Sequence, residues 1–341
     1  MDSQVFILNE KRNVTLTAYL QDDSQEFWRA KKRPAVVIFP GGAYAYCSDR
    51  EADPVAQEYL RAGYHTFVLR YSVGWENAVW PNPLEDYDQA MELIAAHAKE
   101  WHLIPEKIAV IGFSAGGHLA ACAATMAKHR PAAAILAYPV ILEGLAAICA
   151  KGAPGADKAV DSQTCPCFIA ATGTDTTVSA MNSLRFVEAL YENGISAELH
   201  LYAFGPHGFS TARTSIADPA ELCSRTLHWV EDSISWLEDV FGAFTSGEMS
   251  SPRCPGRVRK DKDPYLSVDC LLATIAENQM AVERLNQLIL VEETTQKWIA
   301  EQKENLLTSE MTLRSALQFL NVPGEVIRKA DEILSEIPNR K

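Results

Sequence analysis

The chain reads Ile108-Ala109-Val110-Ile111-Gly112-Phe113-Ser114-Ala115-Gly116-Gly117-His118-Leu119-Ala120 at the point that decides its fold. The apolar, β-branched run predicts a strand, the alanine-rich run predicts a helix, and Gly-x-Ser-x-Gly joins the two. A turn this tight forces the serine into a strained backbone conformation, and the flanking glycines leave room for it. We therefore predict that Ser114 projects from the carboxyl edge of a sheet as a nucleophile, beside the free N–H groups of a helix.

A serine hydroxyl is a poor nucleophile without a base, so two partners are expected further along the chain. After a strand–turn–helix serine of this kind, the acid comes first and the histidine second, each on a loop after a later strand. Asp175 follows a predicted strand at 167–172, and His207 follows an alternating strand at 196–203. We predict that His207 is the general base and that Asp175 orients its imidazole.

Three other side chains could be mistaken for members of this group. Asp157 and Asp161 precede the strand at 167–172 instead of following it, so they rank below Asp175 as the acid. His118 lies one helical turn beyond Ser114, on the wrong side of the turn for a base. We predict that His118 is hydrogen-bonded inside the fold.

A second glycine-containing turn, Pro40-Gly41-Gly42-Ala43-Tyr44, follows the apolar strand predicted at 35–39. By itself it could be an ordinary Pro-Gly-Gly turn, but it lies two strands before the serine. Glycine lets backbone N–H groups approach a ligand closely. We predict an oxyanion hole formed by the N–H groups of Gly42, Ala43 and Ala115, each such donor being worth about 3 kcal/mol of barrier.

The composition argues against several kinds of partner. The 341 residues carry a net charge of −13, which disfavours nucleic acid and anionic membranes as partners. The first ten residues lack a basic start and a long apolar run, and no apolar stretch approaches the roughly 20 residues of a membrane span. The eight cysteines fit neither a zinc site nor a disulfide framework. We expect a cytoplasmic protein with reduced thiols and neither metal nor cofactor.

Strands and helices alternate along the first part of the chain. The predicted strands are 3–8, 13–20, 35–39, 65–70, 108–112, 131–138, 167–172 and 196–203. The predicted helices are 52–61, 84–100, 115–128, 181–193 and 219–240. This order predicts an α/β fold with a mostly parallel, eight-stranded sheet covered by helices on both faces and extended by an antiparallel edge pair. The segment between Tyr138 and Cys165 is short, with one helical turn expected around 142–149, and predicts an open or lightly covered site.

The pattern changes after residue 241. We predict a catalytic domain at 1–244, a flexible linker rich in Ser, Pro, Gly and Arg at 245–264, and an all-helical extension at 265–341. Apolar residues with helical spacing in the extension include Leu266, Leu271, Leu272, Ile275, Val282, Leu285, Leu288, Ile289, Trp298, Ile299, Leu306, Leu307, Leu313, Leu317 and Leu320. The sequence at 321–324 breaks this pattern before a last helix at 325–336. The apolar stripe has to be buried, in a small helical domain, against the catalytic domain or in a homo-oligomer or other protein partner.

Seven motifs together resemble those of the acetyl-xylan-esterase-like carboxylesterases, α/β-hydrolases related to the hormone-sensitive-lipase esterases, over about residues 3–241. They are Phe-Pro-Gly-Gly-Ala-Tyr at 39–44, Ser-Asp-Arg-Glu-Ala-Asp-Pro-Val-Ala at 48–56, Phe-Val-Leu-Arg-Tyr-Ser-Val at 67–73, Pro-Leu at 83–84 with Asp86, Gly-Phe-Ser-Ala-Gly-Gly-His-Leu-Ala at 112–120, Gly-Thr-Asp at 173–175 with Asn-Ser-Leu at 182–184, and Pro-His-Gly-Phe at 206–209. Ala43 stands where many relatives have a third glycine. The resemblance implies an α/β-hydrolase fold and hydrolysis of short acyl esters, often acetyl groups on sugars, by Ser114, His207 and Asp175.

We therefore expect a serine esterase that deacetylates small neutral esters or acetylated saccharides without a cofactor. Tyr44 and Tyr71 are candidates for lining the substrate pocket, and Glu51 is a candidate for binding a sugar hydroxyl; core packing or ion pairing is the alternative for each. Two other functions stay open. One is a peptidase of the same fold, which is disfavoured because only about thirty residues precede the first central strand. The other is a non-catalytic binding or scaffold protein that acts through its helical tail.

Overall fold

The computed structural model describes residues 2–288, 297 and 299–339. The chain divides into two compact units, one ending at Gly256 and the other beginning at Arg257. The boundary falls inside the segment that the sequence predicts as a linker. Arg253 and Cys254 still belong to the first unit, because their backbone N–H groups donate to the carbonyl of Asp239.

A single sheet organises the first unit. Among the described residues it has eight strands, in the spatial order β1-β2-β4-β3-β5-β6-β7-β8. The strands are β1 (Asp2–Asn9), β2 (Val14–Leu20), β3 (Arg33–Phe39), β4 (His65–Arg70), β5 (Leu103–Phe113), β6 (Ala133–Ala137), β7 (Cys167–Thr172) and β8 (Ala197–Tyr202). The predicted fold class is therefore confirmed.

The strand directions determine where functional loops meet. β1 pairs with β2 and β2 with β4 in the antiparallel sense, whereas every pair from β4 to β8 is parallel. At the centre, Val37 of β3 lies between Phe67 of β4 and Val110 of β5. The carboxyl ends of all the parallel strands consequently lie at one edge, which is where open α/β sheets bind ligands.

Helices cover both faces of this sheet. They are α1 (Asp53–Arg61), α2 (Asn82–His97), α3 (Ala115–Met126), α4 (Glu143–Cys149), α5 (Met181–Glu192) and α6 (Trp229–Phe241). Alternate residues of β3 enter different cores: Val37 packs in a cluster with α2, α3 and α5, and Val36 in a cluster with α1 and α6. Because both faces are covered, every residue of β3 is buried, as expected for a central parallel strand.

One predicted helix begins later than expected. The sequence predicts a helix over 219–240, but α6 starts only at Trp229 and is preceded by two short 3₁₀ turns, Pro219–Glu221 and Ser224–His228. The Asp218 carboxylate accepts a hydrogen bond from the Ala220 N–H at 2.9 Å. This local bond closes a tight turn in place of the first turn of an α-helix.

The second unit is helical and has a core of its own. Its described helices are α7 (Leu272–Glu277), α8 (Gln279–Leu288), α9 (Lys303–Thr308), α10 (Leu313–Phe319) and α11 (Gly324–Leu334). Leu266, Ile275, Leu285 and Leu317 of the predicted apolar stripe are buried together in this core. The predicted stripe residues Ile289 and Trp298 lie outside the described residues.

None of the described helices combines the length and the apolar character that crossing a membrane would require.

Candidate active site

The serine of the Gly-x-Ser-x-Gly motif lies between β5 and α3 in a strained turn. Ser114 has φ +53° and ψ −116°, a region that residues with a side chain rarely adopt. A Cβ on Gly112 would lie 2.0 Å from the carbonyl oxygen of Gly116, and a Cβ on Gly116 would lie 2.1 Å from that of Phe39. Glycine at both positions is therefore a steric requirement of the turn.

Three residues distant in the sequence form one hydrogen-bonded chain. His207 Nε2 lies 2.9 Å from Ser114 Oγ, and His207 Nδ1 lies 2.6 Å from Asp175 Oδ2. A carboxylate only accepts hydrogen bonds, so Nδ1 carries the proton and Nε2 is left to accept from the serine hydroxyl. This is the tautomer that a general base needs in order to take the serine proton.

Asp175 is held rigidly by donors from its own loop. Its Oδ1 accepts from the backbone N–H groups of Thr177 at 2.8 Å and Val178 at 2.9 Å. Burial opposes ionisation, but the hydrogen bonds from His207 and these N–H groups outweigh it and lower the pKa of Asp175. The carboxylate therefore stays ionised beside the imidazole, where it stabilises the imidazolium form.

The loops that carry the acid and the histidine are bonded to each other. The carbonyl of Gly205 accepts from Thr172 Oγ1 at 2.9 Å and from Thr174 Oγ1 at 3.1 Å, while the Gly205 N–H donates to Thr174 Oγ1 at 3.0 Å. These bonds fix the loop two residues before His207.

The glycine turn after β3 lies against the serine turn. A Cβ built on Gly41 would be 3.1 Å from Ser114 Cβ. Gly42, Ala43 and Tyr44 have φ values of +122°, +53° and +58°. Ala43 adopts the left-handed conformation that a third glycine would take more easily.

The predicted oxyanion donors are available for a ligand. The Gly41 N–H is already used by a carboxylate oxygen of Glu51 at 2.8 Å. In contrast, no acceptor in the described part of the chain takes the N–H groups of Gly42, Ala43 or Ala115. Free donors next to the nucleophile are what an oxyanion hole requires.

The three predicted substrate-binding side chains lie inside the fold, behind this turn. Tyr44 and Tyr71 are each 1% exposed and Glu51 is 2% exposed. The Tyr71 hydroxyl donates to the carbonyl of Pro40 at 2.5 Å, and the Tyr44 hydroxyl bonds His118. With the bond from the Gly41 N–H to Glu51, all three side chains are hydrogen-bonded within the protein, at or next to the glycine turn.

His118 is buried and hydrogen-bonded on both sides, as the sequence suggests. Its Nε2 donates to the carbonyl of Pro154 at 2.8 Å, so its Nδ1 accepts from the Tyr44 hydroxyl at 2.8 Å. Burial lowers the pKa of His118 to about 4. It therefore connects α3 to the glycine turn and to the segment after α4 in its neutral form.

The rival acid Asp161 lies at the other edge of the sheet. It precedes β7, and both of its oxygens bond the guanidinium of Arg130, at 2.5 and 2.9 Å. Asp161 therefore has a structural role as the ion-pair partner of Arg130. Asp157 likewise precedes β7, in the 3₁₀ turn Ala156–Ala159.

Sequence reasoning did not identify the role of Tyr138. It follows β6 at the same edge as Ser114, and its ring centroid lies 4.9 Å from that of His207. Its hydroxyl donates to the Glu51 carboxylate at 2.7 Å. A tyrosine directly after a buried strand was the available signal, but its partner is 87 positions away and has no spacing relation to it.

Within the described part of the chain, no group of three or more His, Cys, Asp or Glu side chains is arranged to hold a metal ion.

Comparison with known proteins extends these observations. The BD-FAE family matches residues 26–140. Endo-1,4-beta-xylanase B of Butyrivibrio fibrisolvens is 31% identical over 229 residues, which are 58% of this chain and 35% of that protein. The acetylxylan esterase of Xylanibacter ruminicola is 29% identical over 197 residues, 51% of this chain and 41% of that protein. The chain thus spans well under half the length of these two relatives.

A solved structure matches a larger share of this chain. MGS-M1, an alpha/beta hydrolase enzyme from a Medee basin deep-sea metagenome library, is 41% identical with a TM-score of 0.64. The match covers 70% of this chain and 98% of that one. The chain belongs to the α/β-hydrolases.

Proposed function

We propose that the first unit is a serine esterase that removes short acyl groups, chiefly acetyl, from carbohydrates. The observation that carries this proposal is the hydrogen-bonded chain Ser114–His207–Asp175 beside unoccupied N–H donors. These are the components of acyl transfer through a covalent acyl-enzyme.

Acylation begins when Ser114 Oγ attacks the ester carbonyl carbon and His207 Nε2 takes the hydroxyl proton. The carbonyl π electrons move to the oxygen, and the N–H groups of Gly42, Ala43 and Ala115 bind the resulting oxyanion. The tetrahedral intermediate then collapses. The C–O bond to the alcohol breaks, and the alcohol leaves with the proton from His207.

Deacylation repeats these steps with water. His207 takes a proton from water as the water oxygen attacks the acyl carbon, and the second intermediate expels Ser114 Oγ. The serine recovers its proton from His207, and the acid is released. Neither half of the cycle calls for a metal or an organic cofactor.

Three features support a carbohydrate ester as the substrate. One relative is an acetylxylan esterase and another is a xylanase. The segment between β6 and β7 offers little to cover the site: the seven-residue helix α4 and the 3₁₀ turn Ala156–Ala159. Trp75 and Tyr46, 84% and 61% exposed, follow β4 and β3 at the edge where Ser114 lies. Such amphipathic rings suit contact with a sugar.

The compartment we propose is the cytoplasm. All eight cysteines are free, which fits a reducing environment.

Substrate specificity is tested by acetate release from acetylated xylooligosaccharides, alongside p-nitrophenyl esters of two, four and eight carbons. We expect turnover of the saccharides, and the highest kcat/KM among simple esters for acetate. Ser114→Ala should lower kcat by about 10⁴-fold or more, because no other group can form the acyl-enzyme. A kcat/KM that rises with chain length, or cleavage of peptide amides in preference to esters, would contradict the proposal.

A further inference from the structure

We propose that Glu51 is a positioning residue. It fixes the glycine turn at 40–44, here called the oxyanion turn, and the catalytic His207 at set positions relative to each other. This inference rests on the proposed function and adds a residue to it. The juxtaposition that carries it is one buried carboxylate bonded on one side to Gly41 and on the other to Tyr138.

The first contact fixes the oxyanion turn. One oxygen of Glu51 accepts the Gly41 N–H at 2.8 Å, and the Ser48 N–H donates to the Gly41 carbonyl at 2.9 Å. Gly41 is thus bonded on both of its peptide groups. Because the next N–H along the chain is that of Gly42, these bonds set the direction in which the first oxyanion donor points.

The second contact reaches the histidine through a tyrosine ring. Tyr138 donates to the other oxygen of Glu51 at 2.7 Å and accepts the Ser210 N–H at 2.9 Å. With its hydroxyl fixed at both ends, the ring packs edge-on against His207 at 4.9 Å and against Phe209 at 4.6 Å. The ring therefore limits how far the imidazole can move from Ser114.

The environment of Glu51 suggests a positional role over a stabilising one. The side chain is buried, yet no Lys, Arg or His in the described part of the chain forms an ion pair with it. Burying an unpaired carboxylate is unfavourable. The two oxygens of Glu51 accept hydrogen bonds from donors on two separate loops. An apolar side chain at this position would leave both donors without an acceptor.

Glu51→Gln is the central test because it preserves size and removes one acceptor. An amide has a single acceptor oxygen, so either the Gly41 N–H or the Tyr138 O–H loses its partner. We expect kcat per active site for p-nitrophenyl acetate to fall about 10- to 100-fold, with KM changed less than about threefold, as for loss of transition-state stabilisation. Active sites are counted by the end point of fluorophosphonate labelling, so that unfolded protein does not enter kcat.

Tyr138→Phe is the second variant. It keeps the ring beside His207 and removes only the hydroxyl. We expect a fall in kcat per active site here as well, and a double variant whose loss is smaller than the product of the two single losses, because both act through one hydrogen bond.

Asp161→Asn is the matched control. It removes an acidic side chain bonded to Arg130 at the opposite edge of the sheet. It should lower the thermal midpoint while leaving kcat per active site within about twofold of the unaltered protein.

The outcomes separate the two proposals. A Glu51→Gln protein with kcat per active site within about twofold of the unaltered protein overturns the positioning role and leaves the esterase assignment standing. A fall in kcat that Asp161→Asn shares to the same extent also overturns it. An unaltered, folded protein that neither hydrolyses esters nor reacts with fluorophosphonate overturns the proposed function itself.

Discussion

Asp175 accepts three hydrogen bonds, from His207 and from the N–H groups of Thr177 and Val178. An asparagine at this position can keep the backbone bonds through its carbonyl oxygen. It then turns its NH₂ group toward His207 Nδ1, which must become the acceptor. The proton moves to Nε2, and the imidazole can no longer accept from Ser114.

Asp175→Asn is therefore expected to lower kcat for p-nitrophenyl acetate by about 10³- to 10⁴-fold with little change in KM. Steady-state kinetics on the purified variant measures this. Asp161→Asn, which alters the rival acid, is the comparison. Loss of activity in the Asp161 variant together with retention in the Asp175 variant would reverse the assignment of the acid.

Ser114, Asp175 and His207 could be predicted because each follows a recognisable strand and their order along the chain is characteristic. Glu51 and Tyr138 are different. Their roles depend on a contact between residues 87 positions apart, and neither periodicity nor a short motif encodes it. Within a charged loop, Glu51 looks like an exposed residue until the fold buries it.

Among the secondary structure elements, the strands were the easiest to predict. Residues 35–39 of β3 and 167–171 of β7 are continuous apolar runs, and such runs suit a strand covered on both faces. The sequence predicts the start of α6 too early because Asp218 caps a 3₁₀ turn. Competition between a side-chain cap and a helix is decided by local geometry that spacing does not reveal.

Two elements contain buried histidines that make folding sensitive to acid. His65 in β4 donates from Nε2 to the Trp101 carbonyl and accepts at Nδ1 from the Gln21 N–H. Burial lowers the pKa of His65 to about 4, as it does for His118 in α3. Both histidines are therefore neutral in the folded protein at pH values where they are already protonated in the unfolded chain.

For each histidine the folded pKa lies below the unfolded value of 6.5. The stability that the two neutral side chains contribute is therefore fully present above about pH 6.5 and is lost as the pH falls toward 4. Each histidine should account for on the order of 3 kcal/mol of this loss. Urea unfolding at pH 7, 6, 5 and 4.5 measures it. The Asp161 carboxylate, whose pKa the Arg130 guanidinium lowers to about 2, loses its contribution mainly below about pH 4. His65→Gln should flatten the pH dependence; an unchanged slope would contradict this account.

The molecule as a whole consists of two units with separate buried cores. All the residues of the proposed mechanism lie before Gly256. A chain that ends at Gly256 is therefore expected to fold and to react like the full chain.

The helical unit could be predicted as helical from its apolar spacing, but its internal packing depends on short helices whose ends the pattern does not fix.

The central claim is that Ser114 is the nucleophile activated by His207. Its most direct test is to treat the full chain with a fluorophosphonate and locate the adduct by peptide mass spectrometry. We predict one adduct, on Ser114, together with complete loss of esterase activity, and no adduct on the Ser114→Ala protein. An adduct on another residue that abolishes activity, or an unlabelled Ser114 in folded and active enzyme, would contradict the mechanism.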